Sequence, residues 1–293
     1  MSAPSADTAV RSARRSWRLS EDPPARATPL WAAPGIRRIV APNPSPMTYN
    51  GTNSWLIDWQ GGTMLLDPGS EDEAHLDAII AEAGGRLTHI LVSHTHHDHL
   101  DGALTLSQQL RIPTAGYQHS ADDSFTPDIK LEDGDRIGGL TALYTPGHAM
   151  DHLCFTDDQG IIFSGDHVMG WSTSVVPPPP YGDLSLFVAQ LQRIRDRRDR
   201  LMLSAHGPAI AKPYETVQGL LEHRQAREDS IYAVLDRQPR SLENMLGRAY
   251  INLKPQLLGP ARANLLAHLI KLERDGRAVR SEGGWAQARG LCP

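Results

Sequence analysis

The stretch Ser93–Gly102 reads Ser-His-Thr-His-His-Asp-His-Leu-Asp-Gly and contains four of the 13 histidines of the chain. It follows a short apolar run that predicts a buried β-strand. Imidazole and carboxylate groups are costly to bury unless a partner offsets their desolvation, and a metal ion is such a partner. His94 and His96 stand two apart at a strand end, which allows them to point the same way and share one cation. Asp98 and His99, past a turn, are placed to bind a second cation.

Three further polar pieces follow predicted strands elsewhere in the chain: Thr145–His148, Ser164–His167 and Ala205–Pro208. Each of them alone is more often a turn or a loop than a metal site. Together they would lie along one rim of the folded sheets, beside the cluster at residues 93–102. A His-rich surface loop is the competing interpretation of that cluster, and it explains neither the spacing nor these three pieces.

Patterning along the chain divides it into four segments. Residues 1–29 are rich in Ser, Ala, Arg and Pro without apolar periodicity, which predicts a flexible tail. In residues 30–213, strand patterns are followed by helix patterns twice over, as expected of a sheet sandwich with helices on its outer faces. Residues 214–235 predict a connecting helix. Residues 236–293 predict a small helical domain with a β-hairpin wing, which is a winged-helix architecture.

The individual elements are predicted from apolar spacing and turn residues. The predicted strands are Ile36–Val40, Asn53–Asp58, Thr63–Leu66, Thr88–Val92, Thr114–Tyr117, Leu140–Tyr144, Leu153–Thr156, Gly160–Ser164, Leu201–Ser204 and Ala278–Arg280. The predicted helices are Glu71–Ala83, Ala103–Leu110, Leu184–Arg197, Tyr214–Leu235, Ser241–Tyr250 and Gly259–Arg274.

Composition excludes several classes of protein. The 293 residues are 40% hydrophobic and 22% charged, which is typical of one large or two modest globular domains. A formal net charge of −5 excludes a polyanion binder coated in basic residues. The two cysteines, Cys154 and Cys292, are too few for a disulfide framework or a thiolate-rich zinc site, and Cys154 is predicted to be a buried strand residue. No apolar run approaches the roughly 20 residues of a membrane-spanning helix. No secretory signal is found, so we expect a cytoplasmic protein without membrane contact.

Together the four pieces resemble the metallo-β-lactamase superfamily, whose signature His-x-His-x-Asp-His is met by His94, His96, Asp98 and His99. The resemblance covers about Ile36–Pro213, including the Leu-Asp-Pro-Gly run before the first helix, and the combination of motifs is highly specific. The implied fold class is α+β, an αββα sandwich with its site at the sheet edges. The winged-helix domain would follow it.

This resemblance implies that seven side chains bind two zinc ions, with other divalent metals such as iron or manganese as alternatives. They divide into His94, His96 and His148 for one ion, Asp98, His99 and His206 for the other, and Asp166 as the bridge. Two such cations, about 3.5–4 Å apart, lower the pKa of a shared water toward roughly 7 and so give a hydroxide nucleophile near neutral pH. Asp98 is the predicted catalytic residue, both a ligand and the proton acceptor from that water.

Several neighbouring residues receive supporting roles. Asp67 is predicted to hydrogen-bond the far nitrogen of a ligand histidine, and its competing role is an ordinary acid of an Asp-Pro-Gly turn. The Trp171–Tyr181 loop, with four prolines, is predicted to form an apolar wall over the metals rather than a rigid surface connection. His97 should point away from the metals, whereas His152 and His167 either contact the substrate or support the site. Histidines outside the cluster are predicted to be structural or solvated: His75, His89, His119, His223 and His268.

The subgroup narrows the chemistry, since one fold hosts many activities. Phe163–Trp171, His206–Pro208 and the motif His223-Arg224-x-x-Arg227-Glu228 are similar to the β-lactamase-like-protein-2 subgroup. An aspartate in the bridging position and a histidine rather than a cysteine at the second metal site resemble the glyoxalase II and RNase Z branches. This resemblance implies that β-lactam hydrolysis is at most a side activity. Ala149 and Asp151 depart from the usual glyoxalase II run, which argues against hydroxyacylglutathione as the substrate.

Three functions remain open at this point. The preferred one is a dizinc hydrolase of small esters or thioesters, because residues 1–235 carry 19 basic and 29 acidic side chains, a net −10 that poorly suits a long polyanion. The second is a single-strand RNA endonuclease, in which residues 236–293, with ten basic and five acidic side chains, would track phosphates. The third is a zinc-stabilised nucleic-acid-binding or scaffold protein, although a structural zinc needs only about four ligands. A winged helix also serves as a dimerisation module, so a homodimer is an expected partner state.

Overall fold

Three β-sheets and six helices make up the part of the chain that the structure describes, a computed structural model covering residues 17–250, 253, 255 and 258–288. The strands are β1 Leu30–Ala33, β2 Ile36–Val40, β3 Asn53–Trp59, β4 Gly62–Leu66, β5 Leu87–Leu91, β6 Thr114–Tyr117, β7 Ile129–Leu131, β8 Arg136–Ile137, β9 Leu140–Tyr144, β10 Leu153–Thr156, β11 Ile161–Gly165, β12 Leu201–Ser204, β13 Ala278–Ser281 and β14 Gly284–Gln287. The helices are α1 Glu73–Ala83, α2 His97–Leu110, α3 Leu184–Arg197, α4 Pro213–Tyr232, α5 Leu242–Ala249 and α6 Leu258–Arg274.

Two of the sheets form a sandwich. The first has the strand order β1-β2-β3-β4-β5-β6-β7 and the second β12-β11-β10-β9-β8. The first sheet changes from antiparallel to parallel pairing at β4, where the chain begins to cross over through helices, and β11 and β12 pair in parallel in the second sheet. Parallel strands end at the same edge, so the loops after β4, β5, β11 and β12 can gather on one rim of the sandwich.

Three apolar layers hold the sandwich together. The inner layer lies between the sheets and includes Trp55, Phe155 and Phe163, each no more than 1% exposed. Full burial of one such large side chain stabilises the fold by about 1.5–3 kcal/mol. A second layer packs α1 and α2 on the first sheet, and a third packs α3 and α4 on the second sheet. This order of helix, sheet, sheet and helix confirms the predicted αββα architecture.

Polar residues set the ends of the helices. The Asp72 side chain caps α1 by accepting the N–H of His75, and Gly84 ends the helix in the left-handed conformation with φ 57°. The Asp183 side chain accepts the N–H groups of Ser185 and Leu186 at the start of α3. These capping groups satisfy backbone donors that have no partner within the helix.

The C-terminal part is a separate small unit with its own core. Helices α5 and α6 and the β13–β14 hairpin pack Met245, Leu265, Leu269 and Trp285 together, and Ile231 at the end of α4 joins them. Two helices followed by a hairpin confirm the predicted winged-helix domain. None of the described helices is long and apolar enough to cross a membrane.

The predicted flexible tail of residues 1–29 is wrong from Trp17 onward. Trp17 is buried in the third apolar layer against Gly219 of α4, where any larger residue would collide with its indole ring. The N–H of Leu19 donates to Gly170 O, and Glu21 pairs with Arg38 at 2.5 Å. One tryptophan supplies enough apolar area to dock a segment whose average composition is polar. Residues 1–16 lie outside the described part of the chain, as does Cys292.

The other differences from prediction concern short elements. Strands β1, β7 and β8 were not predicted, because two to four residues at a sheet edge carry little pattern. Helix α2 starts at His97 rather than at Ala103, with the extended residue His96 as its N-cap and Asp98 in its first turn. An acidic residue there favours the helix by interacting with its positive end. Cys154 is fully buried in β10, as predicted, and burial raises the pKa of its thiol to about 12.

Candidate metal centre

The seven predicted ligands meet at one rim of the sandwich, where loops leave the strands. His94 and His96 follow β5, and Asp98 and His99 lie in the first turn of α2. The other ligands follow strands of the second sheet: His148 after β9, Asp166 after β11 and His206 after β12. Hydrogen bonds tie the two sheets at this rim, from Leu153 N–H to Ser93 O (2.7 Å) and from Asn53 N–H to Ala205 O (2.7 Å).

A glycine sets the position of His148. Gly147 has φ 141°, and a side chain there would come within 2.5 Å of the backbone of Phe187 in α3. Only glycine therefore allows the loop after β9 to pack directly against this helix. The close packing holds His148 at the rim, opposite the residues that follow β5.

Three imidazoles form the first ligand group, His94, His96 and His148. His94 Nε2 lies 2.8 Å from His96 Nδ1, and His148 Nε2 lies 3.1 Å from the same atom. His94 donates its Nδ1–H to Ser93 Oγ and His148 donates its own to Val175 O, which leaves both Nε2 atoms unprotonated when the rings are neutral. Three nitrogen lone pairs so close together are poorly satisfied by one proton and well satisfied by one cation.

The second ligand group contains a carboxylate, Asp98, with His99 and His206. Asp98 Oδ2 lies 3.4 Å from His99 Nε2 and 3.2 Å from His206 Nε2. The far nitrogens point away from the group: His99 Nδ1 lies 3.1 Å from Asp67 Oδ2, and His206 Nδ1 lies 3.3 Å from Gly51 O. Second-sphere contacts of this kind fix the tautomer and ring orientation of a ligand histidine.

Asp166 lies between the two groups and turns one oxygen to each. Its Oδ2 is 3.5 Å from His148 Nε2 of the first group, and its Oδ1 is 3.2 Å from His206 Nε2 and 3.7 Å from His99 Nε2 of the second. Among the described residues, Asp166 Oδ1 and His99 Nε2 are buried without a hydrogen bond. Buried polar atoms are rarely left unpaired in proteins, so the donor atoms of these seven side chains fit bound metal, with Asp166 placed between the two groups.

The electrostatics of the two groups differ. In the first, burial and the neighbouring imidazoles of His99, His96 and His148 keep the pKa of His94 well below its ordinary value, so the neutral ring that binds a cation is favoured. In the second, burial alone would lower the pKa of His206, but the carboxylates of Asp166 and Asp98 raise it to about 9. The carboxylates thus demand positive charge beside them. A bound divalent cation would supply that charge.

Asp67 supports the centre from behind. It takes the left-handed conformation with φ 50°, and its N–H donates to Leu91 O (3.0 Å). Its carboxylate accepts the N–H of Ser93 (2.8 Å) and the hydroxyl of Ser93 (2.7 Å), besides facing His99. Asp67 therefore lies 3.1 Å from the far nitrogen of His99 and reaches His94 through Ser93 Oγ, so its supporting role behind the candidate ligands stays a prediction with a contact to test it.

The remaining histidines take different positions. His152 accepts the backbone N–H of Asp166 at Nε2 (3.1 Å) and hydrogen-bonds Thr145 Oγ1, so it holds the bridging residue rather than lining the cavity. His167 is buried against Phe187 and does not line the cavity either. His97 is exposed, as predicted for a side chain that points away from the metals, and its Nδ1 lies 3.2 Å from Asp101 Oδ1. His75 is buried and bonded to Ser54 and Pro68 O, a structural role.

A cavity of about 220 Å³ opens onto the metal centre. Of the predicted Trp171–Tyr181 wall, Val175 and Pro177 line it, whereas Trp171 stacks on Tyr49 and Tyr181 is exposed. Met47, Thr48 and Met169 also line the cavity. They were not predicted, because no residue pattern marks the loop before β3 or the residues after Asp166 as facing the site. The described lining contains no lysine or arginine.

The loop over the cavity is fixed from α4. Arg224 is buried and donates Nη2–H to Ser174 O, and the Ser174 hydroxyl donates to Asp166 O, both at 2.5 Å. The carbonyl of the next residue, Val175, accepts the ring Nδ1–H of His148 at 2.6 Å. The orientation of one ligand and the backbone of another therefore depend on this short segment. Sequence patterns give no signal for it, because the groups involved are mostly backbone carbonyls.

Comparison with known proteins agrees with this geometry. A model described as "Metallo-beta-lactamase superfamily" matches residues 47–132, and one described as "Beta-lactamase associated winged helix domain" matches residues 241–285. A "Beta-lactamase-like protein 2 homolog" from Drosophila melanogaster is 30% identical over 266 residues, which cover 83% of this chain and 89% of that protein.

Two other similarities bear on chemistry and on fold. An "Atrochrysone carboxyl ACP thioesterase" from Claviceps purpurea is 32% identical over 217 residues, covering 70% of this chain and 66% of that protein. The crystal structure of a beta-lactamase domain protein from Burkholderia ambifaria superposes with a TM-score of 0.77 at 23% identity, covering 90% of this chain and 95% of that one. The second similarity concerns the fold alone.

Proposed function

This chain belongs to the metallo-beta-lactamase superfamily of hydrolases, and on that basis we propose that it is a dizinc enzyme that cleaves a small thioester or ester. The observation that carries the proposal is the orientation of Asp166, whose two oxygens face two separate ligand groups. One structural zinc ion would need only about four ligands, whereas seven are gathered here. A scaffold role also gives no reason for a cavity at the centre.

When bound, the two cations would supply Lewis acidity toward the substrate carbonyl and a lowered pKa for an attacking water. Asp98 lines the cavity and its side chain is 28% exposed, so its carboxylate is placed to accept a proton from that water. Thr52 Oγ1 donates to Asp98 Oδ2 (3.3 Å) and orients it. The water oxygen would bond to the carbonyl carbon, the C–S or C–O bond would break, and the thiol or alcohol would leave with the proton that Asp98 had accepted from the water.

The walls of the cavity favour an apolar acyl group. Met47, Met169, Val175 and Pro177 line it together with the ligands, and thioethers adapt to irregular apolar shapes. Among superfamily relatives, the Claviceps purpurea protein is named as a carrier-protein thioesterase, which supports a thioester over other esters.

The RNA alternative receives little support from the charges of the C-terminal domain. Six of the eight basic residues described in residues 236–288 pair with carboxylates of this chain: Arg240, Arg248, Arg262, Lys271, Arg274 and Arg277. A surface that tracks phosphates needs cations free to replace counterions. The described lining of the metal cavity adds no lysine or arginine.

A side-by-side assay tests the proposal. The zinc-loaded protein and its Asp98→Ala variant would be given a panel of acyl thioesters and a labelled single-stranded RNA. We expect thioester turnover by the parent protein, loss of turnover in the folded variant, and no RNA cleavage. RNA cleavage without thioester turnover would replace the proposed function, and full turnover by Asp98→Ala would remove Asp98 from the mechanism.

A further inference from the structure

A second cavity of about 280 Å³ adjoins the metal centre and lies between α4 and the start of α6. We call it the α4–α6 groove. Val175 lines both this groove and the metal-site cavity, so the two spaces share one wall. The groove is further lined by Thr173, Arg227 and Asn264, among others. A substrate longer than the metal-site cavity has this groove beside it.

The described lining of the groove is basic. It includes the guanidinium groups of Arg224 and Arg227 and no carboxylate. Arg224 is engaged with Ser174 O, as described above. Arg227 lies over the ring of Tyr250, 5.1 Å from its centre, and among the described residues no carboxylate lies within 4.0 Å of its guanidinium.

Other cations at the same domain boundary, unlike Arg227, have a carboxylate partner among the described residues. Lys271 and Arg277 both reach the buried Glu228 of α4, at 3.0 and 2.8 Å. Arg227 precedes Glu228 in the chain yet takes no part in that cluster. An aromatic ring thus orders its guanidinium without neutralising it, which is the condition for binding an anion.

A polar partner completes the groove. Tyr250 Oη donates to Asn264 Oδ1 at 2.9 Å, which fixes the side-chain amide of Asn264. Among the described residues no acceptor lies within hydrogen-bond distance of its NH2 group, which leaves that group as a donor on the groove wall. A fixed amide beside an arginine offers several N–H groups to one anion, and the planar fork of arginine matches phosphate oxygens especially well.

Resting on the proposed thioester hydrolysis, we propose that the α4–α6 groove binds the phosphate of a pantetheine-type thiol arm, with Arg227 as its main contact. The acyl carbonyl would lie beside Asp166 and Asp98 in the metal-site cavity. The thiol arm would extend from there past Val175 into the groove. Coenzyme A and a carrier protein both present this arm and its phosphate. The groove therefore makes Arg227 a residue that determines specificity, outside the reacting atoms.

Two matched substrates test the assignment, S-acetyl 4′-phosphopantetheine and S-acetyl pantetheine, which differ only in the phosphate. With the full-length, zinc-loaded protein we expect kcat/KM to be about 10-fold or more higher for the phosphorylated substrate. In Arg227→Gln this preference should vanish through a higher KM, while turnover of S-acetyl pantetheine stays the same. Arg227→Lys, which keeps the charge but not the fork, should fall between.

Arg280→Gln is the control, because Arg280 also lies over an aromatic ring, Trp285 at 5.5 Å, but not in the groove. It should retain the full preference. Equal loss on both substrates in Arg227→Gln would assign Arg227 a structural role and overturn the proposal. The proposal would also be overturned if the parent protein showed no preference for the phosphorylated substrate. It would be overturned as well if Arg227→Gln reduced turnover of S-acetyl glutathione but not of S-acetyl 4′-phosphopantetheine.

A binding measurement separates failure of the groove from failure of the proposed function. If the parent protein hydrolyses neither these substrates nor any member of the acyl thioester panel, the hydrolase proposal fails and the kinetic comparison is replaced by binding. Calorimetric titration with 4′-phosphopantetheine still tests the groove. Binding that is weakened about 10-fold in Arg227→Gln supports it, and absence of binding to the parent protein overturns it. Acetyl-CoA and an acetylated carrier protein are then assayed with the same variants. The natural carrier of the thiol arm is the one whose kcat/KM falls more in Arg227→Gln.

Discussion

Two regions of this chain concentrate titratable side chains, the metal-binding rim and the C-terminal domain, and they differ in how those side chains are partnered. At the rim, imidazoles and carboxylates converge with their ligand atoms 2.8–3.7 Å apart, and two of those buried atoms have no hydrogen bond among the described residues. In the C-terminal domain, most cations have carboxylate partners within the same chain, such as Arg248 with Asp236 and Arg262 with Glu243.

The difference shows that charge alone says little about function. A net charge of +5 over residues 236–293 suggests a nucleic-acid surface, but those charges mostly hold the domain to itself and to α4. Side chains that converge and still lack protein partners indicate a missing ligand. The same criterion distinguishes Arg227 from the paired cations around it.

The largest effect should follow from breaking the bridge at the rim. Asp166→Asn replaces one anionic oxygen by an amide N–H that repels a cation, so one of the two ligand groups loses its shared carboxylate. We expect thioester turnover to fall about 1,000-fold and bound metal, measured by elemental analysis, to fall below two ions per chain. Asp128→Asn is the control, since Asp128 caps Thr114 away from the rim. Two tightly held ions in Asp166→Asn would refute the bridging role.

A smaller loss is expected one step behind the ligands. In Asp67→Asn the side chain retains its size but loses the negative charge 3.1 Å from His99 Nδ1 and one of its two acceptors for Ser93. Loss of such support typically lowers metal affinity or activity about 10–100-fold. Competition with a chelator measures the affinity directly. Asp72→Asn, five residues along the same loop, should change nothing, because asparagine caps α1 as well as aspartate does. Equal behaviour of the two variants would return Asp67 to the role of a turn acid.

Much of the rim could be predicted because its ligands are specific side chains at strand ends. Four of the ligands follow one strand at a characteristic spacing, and the others follow three further strands. All of these strand ends lie at one edge once the strands run in the same direction. The αββα order followed from alternating strand and helix patterns. These features are local in sequence, and the fold brings them together through simple topology.

The remainder of the site could not be predicted, because it depends on backbone groups and on long-range packing. The Val175 carbonyl that orients His148 leaves no trace in residue type. Met47 and Met169 become walls only when two loops meet, and the docking of Trp17 on Gly219 joins residues 202 positions apart in sequence. Within the described part of the chain Arg277 meets a carboxylate and Arg227 does not, and a count of charges cannot predict this difference.

On the C-terminal side of the comparison, the expected effect is on stability rather than on chemistry. Glu228 is 4% exposed and accepts from both Lys271 and Arg277. Glu228→Gln leaves two cations without their shared anion, which should cost about 2–3 kcal/mol of the free energy of unfolding. The partial exposure of Arg277 keeps the cost below that of a fully buried charge. A urea titration measures the loss, and Glu243→Gln, an exposed pair, should shift it by less than about 0.5 kcal/mol. Similar changes in the free energy of unfolding in both variants would show that Glu228 does not stabilise the domain boundary.

The smallest effect should come from the charges that most resemble a nucleic-acid surface. If residues 236–288 track phosphates, removing one contacting cation lowers the salt dependence of RNA binding by about one unit of slope and weakens binding to every sequence. Arg248 and Arg262 are bound to Asp236 and Glu243 at 3.1 and 3.2 Å, so an RNA would first have to displace those carboxylates. We therefore expect Arg248→Gln and Arg262→Gln to leave both the slope and the weak affinity for single-stranded RNA unchanged in a fluorescence titration. A reduced salt-dependence slope in each variant would mean that these ion pairs open to bind phosphate. Pairing with a carboxylate would then not distinguish the C-terminal cations from side chains that bind a ligand.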